Sequence, residues 1–165
     1  MTSATLEPVT SEDAVLRMLG PADLELTRAW RNHPQSREGF HSTAPIEPEQ
    51  HLAWYRAYLE RDDDFMFVME VAGRPAAQAG LYDIAGGSAE FGRLLVDPAA
   101  RGEGLSHRVV ALCLLVADQT LGLDELHLEV KRANARAIRV YERAGFVLDA
   151  DAAGRDDSLV MRRRP

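Results

Sequence analysis

The run Arg101-Gly102-Glu103-Gly104-Leu105-Ser106-His107-Arg108 sets two glycines between an expected strand and an apolar helix. The first amides of a helix have no partner within it, and they carry the positive end of its dipole. Glycines at 102 and 104 let the backbone curl, so that several N–H groups converge on one concavity. Such a turn suits a phosphate or pyrophosphate. Arg101 and Arg108 can add charge. A Walker loop needs Gly-Lys-Ser/Thr, which is absent, and a dinucleotide fingerprint needs a third glycine where His107 stands. The bland alternative is a plain strand-to-helix turn with two convenient glycines.

A second group of chemistry-bearing residues follows. At helical spacing, Asn134, Ile138 and Tyr141 share one side of a segment, and Ala133, Ala137, Val140 and Ala144 form a packing side. Arg136, Arg139 and Arg143 make a third, basic side. Aminolysis of a thioester expels a thiolate, and a phenol within reach can donate its proton to that sulfur. Tyr141 is such a phenol, unless it merely packs beside Gly145-Phe146. An attacking amine must first be neutral, so a base or a water relay helps. Strand alternation over residues 126–130 puts Leu126, Leu128 and Val130 on one face and His127 and Glu129 on the other. Either polar residue can serve as base, or be a solvated or ion-paired side chain. A His-x-Glu metal pair has no third ligand in view, so no metal is expected.

Residues 101–106 resemble the R/Q-x-x-G-x-G/A loop by which GCN5-related N-acetyltransferases (GNAT) bind the pyrophosphate of acetyl-CoA. Leu95-Val96-Asp97-Pro98 before the loop is similar as well, while Ser106 stands where Gly or Ala is usual. Residues 134–146 resemble the N-x-x-A-x-x-x-Y-x-x-x-G-F segment of the same family. The likeness runs from about residue 15 to residue 161. It implies a GNAT fold: α/β of the α+β type, a mixed, mainly antiparallel central sheet flanked by helices. It implies acetyl-CoA as co-substrate, held by Leu94, Leu95, Val96, Arg101, Gly102, Glu103, Gly104, Leu105, Ser106, Asn134 and Tyr141. The contribution of residues 94–96 is their backbone, on a strand that splays from its neighbour. The resemblance assigns Tyr141 the general-acid role. Leu128-Glu129-Val130, with Glu129 twelve positions before Tyr141, resembles the ribosomal-protein N-terminal acetyltransferases and implies Glu129 as base.

For the acceptor, residues 30–37, His41 and residues 49–54 look like the amino-sugar-nucleotide N-acetyltransferases of the pseudaminic-acid pathway, which share Arg-Asn-x-x-x-x-Arg and His-x-x-Trp. That likeness implies Arg31, Arg37 and His41 against a nucleotide diphosphate and Trp54 stacked on a base or sugar. An amino sugar or its nucleotide is therefore the leading small-molecule acceptor. A peptide N-terminus is the alternative. A non-catalytic acyl-CoA-binding module is the reading from another class, but it would need neither Tyr141 nor Glu129. A homodimer is compatible with the family.

These residues need elements to position them. Alternation and helical spacing predict a strand at 15–18, helices at 21–32 and 48–61, and strands at 65–71, 76–82 and 89–96. A helix at 104–121, a strand at 126–130, a helix at 134–144 and strands at 146–150 and 159–161 complete the order. Only the two strands flanking the 104–121 helix call for a parallel crossover. Residues 1–12 are expected to be a flexible tail, and 13–165 one domain.

Bulk chemistry bounds the rest. The chain has 165 residues, 46% apolar and 27% charged, as in an ordinary globular domain. A net charge of −7 disfavours nucleic-acid backbones as partners. No apolar run is long enough to span a bilayer, and residues 1–10 lack the basic and apolar parts of a secretory signal. The single cysteine, Cys113, sits in an apolar run and can form no internal disulfide, so a reducing cytoplasm is the expected compartment.

Overall fold

Phe65–Val71 (β3) alternates between two apolar faces, and the structure buries both. In this computed structural model, which describes residues 4–165, Phe65, Phe67 and Met69 point into the main core, while Met66 and Val68 point into a smaller one on the opposite face. A strand covered on both faces must be central. β3 is flanked by Ala14–Met18 (β2) and Arg74–Ala85 (β4), both antiparallel to it. With Val9–Ser11 (β1), Ser88–Val96 (β5), Glu125–Lys131 (β6), Val147–Leu148 (β7) and Ser158–Arg163 (β8), they form one sheet of order β1-β2-β3-β4-β5-β6-β8-β7. Every neighbouring pair is antiparallel except β5 and β6.

The crossover between β5 and β6 is Leu105–Leu115 (α4), continued by a wider π-helical turn over Val116–Thr120. The expected single helix thus changes its hydrogen-bond pattern at Val116. Leu105, Val109, Val110, Leu112, Cys113, Val116 and Ala117 are all buried, so the helix lies in the main core with apolar residues nearly all round. Burial pushes the Cys113 thiol well up, which leaves it an inert small hydrophobe.

The other face of the sheet carries Leu24–Asn32 (α1), the short Pro34–Arg37 (α2) and Pro48–Leu59 (α3). Tyr55 and Tyr58 of α3 pack on Met66 and Val68, and the Tyr58 hydroxyl accepts the Met66 amide at 3.1 Å. Ala135–Arg143 (α5) is strongly one-sided: Val140 and Tyr141 are buried, and its arginines face outward.

One expectation changes at the start of the chain. Residues 9–11 do not belong to a loose tail: Val9 pairs with Leu16, Thr10 with Val15 and Ser11 with Ala14. The open edge of β2 supplies hydrogen bonds, and Leu6 and Val9 rest against the main core. Two apolar residues were too few to announce that edge strand by alternation.

Candidate active site

β5 and β6 pair at only three positions, Ser88↔Glu125, Ala89↔Leu126 and Glu90↔His127. Beyond Glu90 the strands diverge. On its other edge β5 stays with β4 as far as Val96↔Ala77, but through a bulge: Gly80 opposes Gly92 and Gln78 opposes Leu95, so Arg93 and Leu94 share one partner position. Arg93 sits at φ +56°, and the Gln78 side-chain amide donates to its carbonyl at 3.0 Å. A bulge bends its strand, and here the bend coincides with the parting from β6. A cavity of about 650 Å³ opens there, lined by Leu94, Leu95 and Val96 on one wall and Glu129, Val130 and Lys131 on the other. Gly92 leaves room for the Tyr82 phenol, whose oxygen occupies the space a Cβ would need.

The start of α4 forms one end of this cavity. Gly104 stands at the helix start with φ +72°, and no side chain caps it. The first amide with a partner in the helix is that of Arg108, 3.4 Å from the Gly104 carbonyl. Gly102, Gly104, Leu105 and Ser106 all line the cavity. Three side chains near this start do something other than expected. Arg108 turns away to an ion pair with Asp13, because α4 packs beside the β1–β2 turn. Glu103 is exposed and is not among the cavity walls, so only its backbone belongs to the loop. Arg101 lines the cavity but donates to Gln35 Oε1 at 3.0 Å and Ser36 Oγ at 2.9 Å.

The start of α5 forms the facing wall. Asn134 caps it, its Oδ1 accepting the Ala137 amide at 3.2 Å, and its side chain also borders the cavity. Arg136, Arg139 and Arg143 line the same side. Near the end of the helix, Tyr141 packs edge-on against Phe91 and Phe146, with ring centroids 5.9 Å away in both cases. Burial pushes its phenol up to about 12, and among the described residues its hydroxyl has no hydrogen-bond partner. The residue is buried in the core and also lines the cavity.

Glu129 reaches the cavity from β6 with its carboxylate already engaged. Arg155, in the β7–β8 connection, donates through its backbone N at 3.1 Å and its Nε at 2.9 Å, and His41 Nε2 lies 3.2 Å away. Burial alone would raise this carboxyl. The bonds from Arg155 and the charges of Arg155 and His41 outweigh it and hold the group below its ordinary value. Its neighbour two residues back, His127, has a buried Nδ1 with no hydrogen-bond partner among the described residues. Glu90 accepts from the Tyr82 hydroxyl at 3.2 Å, and burial, then the Glu90 charge, push that phenol far up.

A segment running from α2 to His41 straps the two walls together. Arg101 holds its first part, Lys131 Nζ donates to the Glu38 carbonyl at 2.7 Å, and His41 meets Glu129. Behind the strap lies a second chamber of about 440 Å³, which shares Phe40 and Arg93 with the first. Arg31 and Trp54 line it, whereas Arg37 lines neither space. His41 belongs to the first cavity, so the four expected acceptor residues do not form one cluster. Arg93 divides the chambers. It is ion-paired with the buried Asp64 at 2.7 Å, and its guanidinium lies 3.9 Å from the Tyr82 ring centroid.

Arg155, Tyr82 and Asp64 were not singled out by sequence reasoning. Arg155 meets Glu129 across 26 positions through an irregular connection, and no local pattern announces such a pair. Asp64 had a signal in principle: a carboxylate directly before a strand that opens with five apolar residues is a candidate for burial with a partner. Among the described residues no three His, Cys, Asp or Glu side chains come together as metal ligands, and no helix is long and apolar enough to cross a membrane.

Residues 6–147 match the family model described as an acetyltransferase (GNAT) domain. The chain is 27% identical over 153 residues to spermidine N(1)-acetyltransferase of Escherichia coli, covering 90% of this chain and 75% of that protein. It is 25% identical over 134 residues to an uncharacterized protein of Methanocaldococcus jannaschii, covering 80% of this chain but spanning only 28% of that longer protein. In fold it is similar to the crystal structure of spermidine N-acetyltransferase from Vibrio cholerae in complex with CoA and spermine, with a TM-score of 0.80 and 23% identity over 91% of this chain and 93% of that one.

Proposed function

Because the chain belongs to the acetyltransferase (GNAT) family, we propose that it moves the acetyl group of acetyl-CoA to a primary amine of a small molecule by direct attack. One observation supports this reading above the others: β5 leaves β6 after three paired residues, and the gap leads from an uncapped helix start to an unpartnered phenol. The gap leaves backbone groups of β5 free to pair with the pantetheine arm. The α4 amides face the pyrophosphate, with Arg136, Arg139 and Arg143 supplying charge on the opposite wall.

The reaction then follows simple bookkeeping of charge. The neutral amine attacks the thioester carbonyl, and the oxyanion is met by backbone donors of β5. Collapse breaks the C–S bond and expels a thiolate. Tyr141, kept protonated by its burial, donates to the sulfur as it leaves. The amine's extra proton must go elsewhere. Glu129 is the nearest expectation, but a carboxylate tied to Arg155 and held low is a weak proton acceptor. Its role in this reading is to fix the strap over the cavity, with proton removal by solvent at the chamber mouth.

An amino-sugar nucleotide, the leading acceptor by resemblance, draws less support from the geometry. Arg31 and Trp54 line the second chamber, His41 lines the first, and Arg37 lines neither. A peptide N-terminus has no specific observation in its favour. The test is release of free thiol from acetyl-CoA with a panel of amines, run beside calorimetric titration of CoA. CoA binding with amine-dependent thiol release is expected. No affinity for CoA would end the proposal, and affinity with no amine-dependent release from any acceptor would leave a binding module instead.

A further inference from the structure

The second chamber differs from the first in charge. Its walls are Leu19, Ile46, Trp54 and Met66 with a few polar groups, and among the described residues no Asp or Glu lines it. Two cations do, Arg31 and Arg93. Arg93 is compensated by Asp64. Arg31 is not: its Nη2 donates to the Ser42 carbonyl at 2.7 Å, its guanidinium lies 4.0 Å from the Phe40 ring centroid, and its buried Nη1 has no hydrogen-bond partner among the described residues. His51, at the same wall, adds no charge at neutral pH, since burial and the nearby Arg28 hold its ring below the ordinary value.

Resting on the acetyl-transfer reading, we infer that the acceptor is an amine that also carries an anionic group, a carboxylate or a phosphate, and that Arg31 receives that anion in the second chamber. A half-buried guanidinium without a carboxylate partner is a costly arrangement, and an incoming anion relieves it with a charge-assisted, bidentate contact. Leu19, Ile46, Trp54 and Met66 then cover an apolar or ring-shaped body. The amine end reaches the acetyl group through the shared boundary at Phe40 and Arg93. A polyamine fits this chamber poorly. Each of its ammonium groups would meet like charge and find no carboxylate, unlike the acidic sites that polycations require. A volume of about 440 Å³ suits a compact acceptor with one anionic group.

The experiment compares matched acceptors in thiol release: phenylalanine and methionine against their carboxamides, glucosamine 6-phosphate against glucosamine, and spermidine. The anionic member of at least one pair should exceed its neutral partner by about tenfold or more in kcat/KM, the scale of one charge-assisted contact. The two pairings separate carboxylate from phosphate. In Arg31→Gln that ratio should collapse toward one, and Arg31→Lys should restore part of it. Calorimetry with CoA on each variant checks that the donor site is intact, so failure of this inference differs from failure of the acetyl-transfer reading. Equal use of charged and neutral partners, or spermidine as the best acceptor, would overturn it. So would an absence of both turnover and anionic-acceptor binding to the CoA-loaded protein.

Discussion

Two helices begin at the rim of one cavity, and they begin in opposite ways. At α5 the chain supplies its own cap: Asn134 Oδ1 takes up an amide that the helix cannot use. At α4 it supplies none, and Gly104 offers no side chain with which to do so. An orphan helix amide left without a partner costs stability unless water or a ligand meets it. The capped start therefore belongs to architecture, holding the helix that carries Tyr141. In the proposed function the bare start belongs to binding. The strap treats them alike, since Arg101 just before α4 and Lys131 just before α5 both donate to it.

The sharpest way to break this comparison is at the far end of α5. Tyr141→Phe should lower kcat about 100-fold or more, the usual scale of a general acid, while calorimetry gives an unchanged CoA affinity. Ring packing against Phe91 and Phe146 survives the change, so a folded protein is expected. Undiminished turnover would remove chemistry from α5 altogether. At α4 the effect should fall on binding instead. Gly104→Val forces a β-branched residue into a left-handed conformation at φ +72°, at about 1–2 kcal/mol. A Cβ there meets nothing within 4 Å, so the cost is conformational rather than steric. CoA affinity should weaken roughly tenfold, with kcat at saturating acetyl-CoA changed less. A variant that loses kcat and keeps affinity would reverse the roles assigned to the two starts.

What the sequence made legible follows the range over which each signal acts. β3, buried on both faces, opens with five consecutive apolar residues, and its expected limits of 65 and 71 match the observed strand. The single parallel pairing was foreseen because only a long buried helix can return the chain in the same direction. Gly102, Gly104, Asn134 and Tyr141 lie in contiguous motifs, and all four line the cavity. Charged pairs fared worse. Arg108 looked like a ligand for phosphate by its place in the motif, but its partner, Asp13, lies 95 positions away. Glu129 was open to two readings, a base or an ion-paired side chain, and its ion partner, Arg155, lies 26 positions away. A side chain's address can be read from local spacing. Its ionic partner is chosen by the fold, over separations at which spacing carries no information.

A smaller effect sharpens the comparison at the capped start. Asn134→Ala removes the cap and should cost about 1 kcal/mol, seen as a fall in Tm of roughly 2–4 °C for a chain of this size. CoA affinity should change little if the cap is its whole task. A drop in affinity as large as that of Gly104→Val would make Asn134 a ligand-holding residue, and the two helix starts would then differ in degree only.

The smallest effect concerns the strap that joins the two starts. The Glu129 carboxyl is held below its ordinary value in the folded protein, so it binds a proton less readily there than in the unfolded chain. Its contribution to stability is therefore complete above the unfolded value and disappears as pH falls through the lowered folded value. Glu129 is partly exposed and its partner Arg155 largely so, which limits the pair to about 1 kcal/mol or less. Urea unfolding of the wild type and Glu129→Gln at pH 7 should show that small difference, and the two curves should converge as the pH falls through the lowered folded value. The pH–rate profiles of the two proteins should then share one acid-side limb, because in the proposed reaction the carboxylate anchors the strap and does not accept the amine's proton. An acid-side limb that shifts or disappears in Glu129→Gln would return the base role to this residue and make the strap's anchor part of the chemistry.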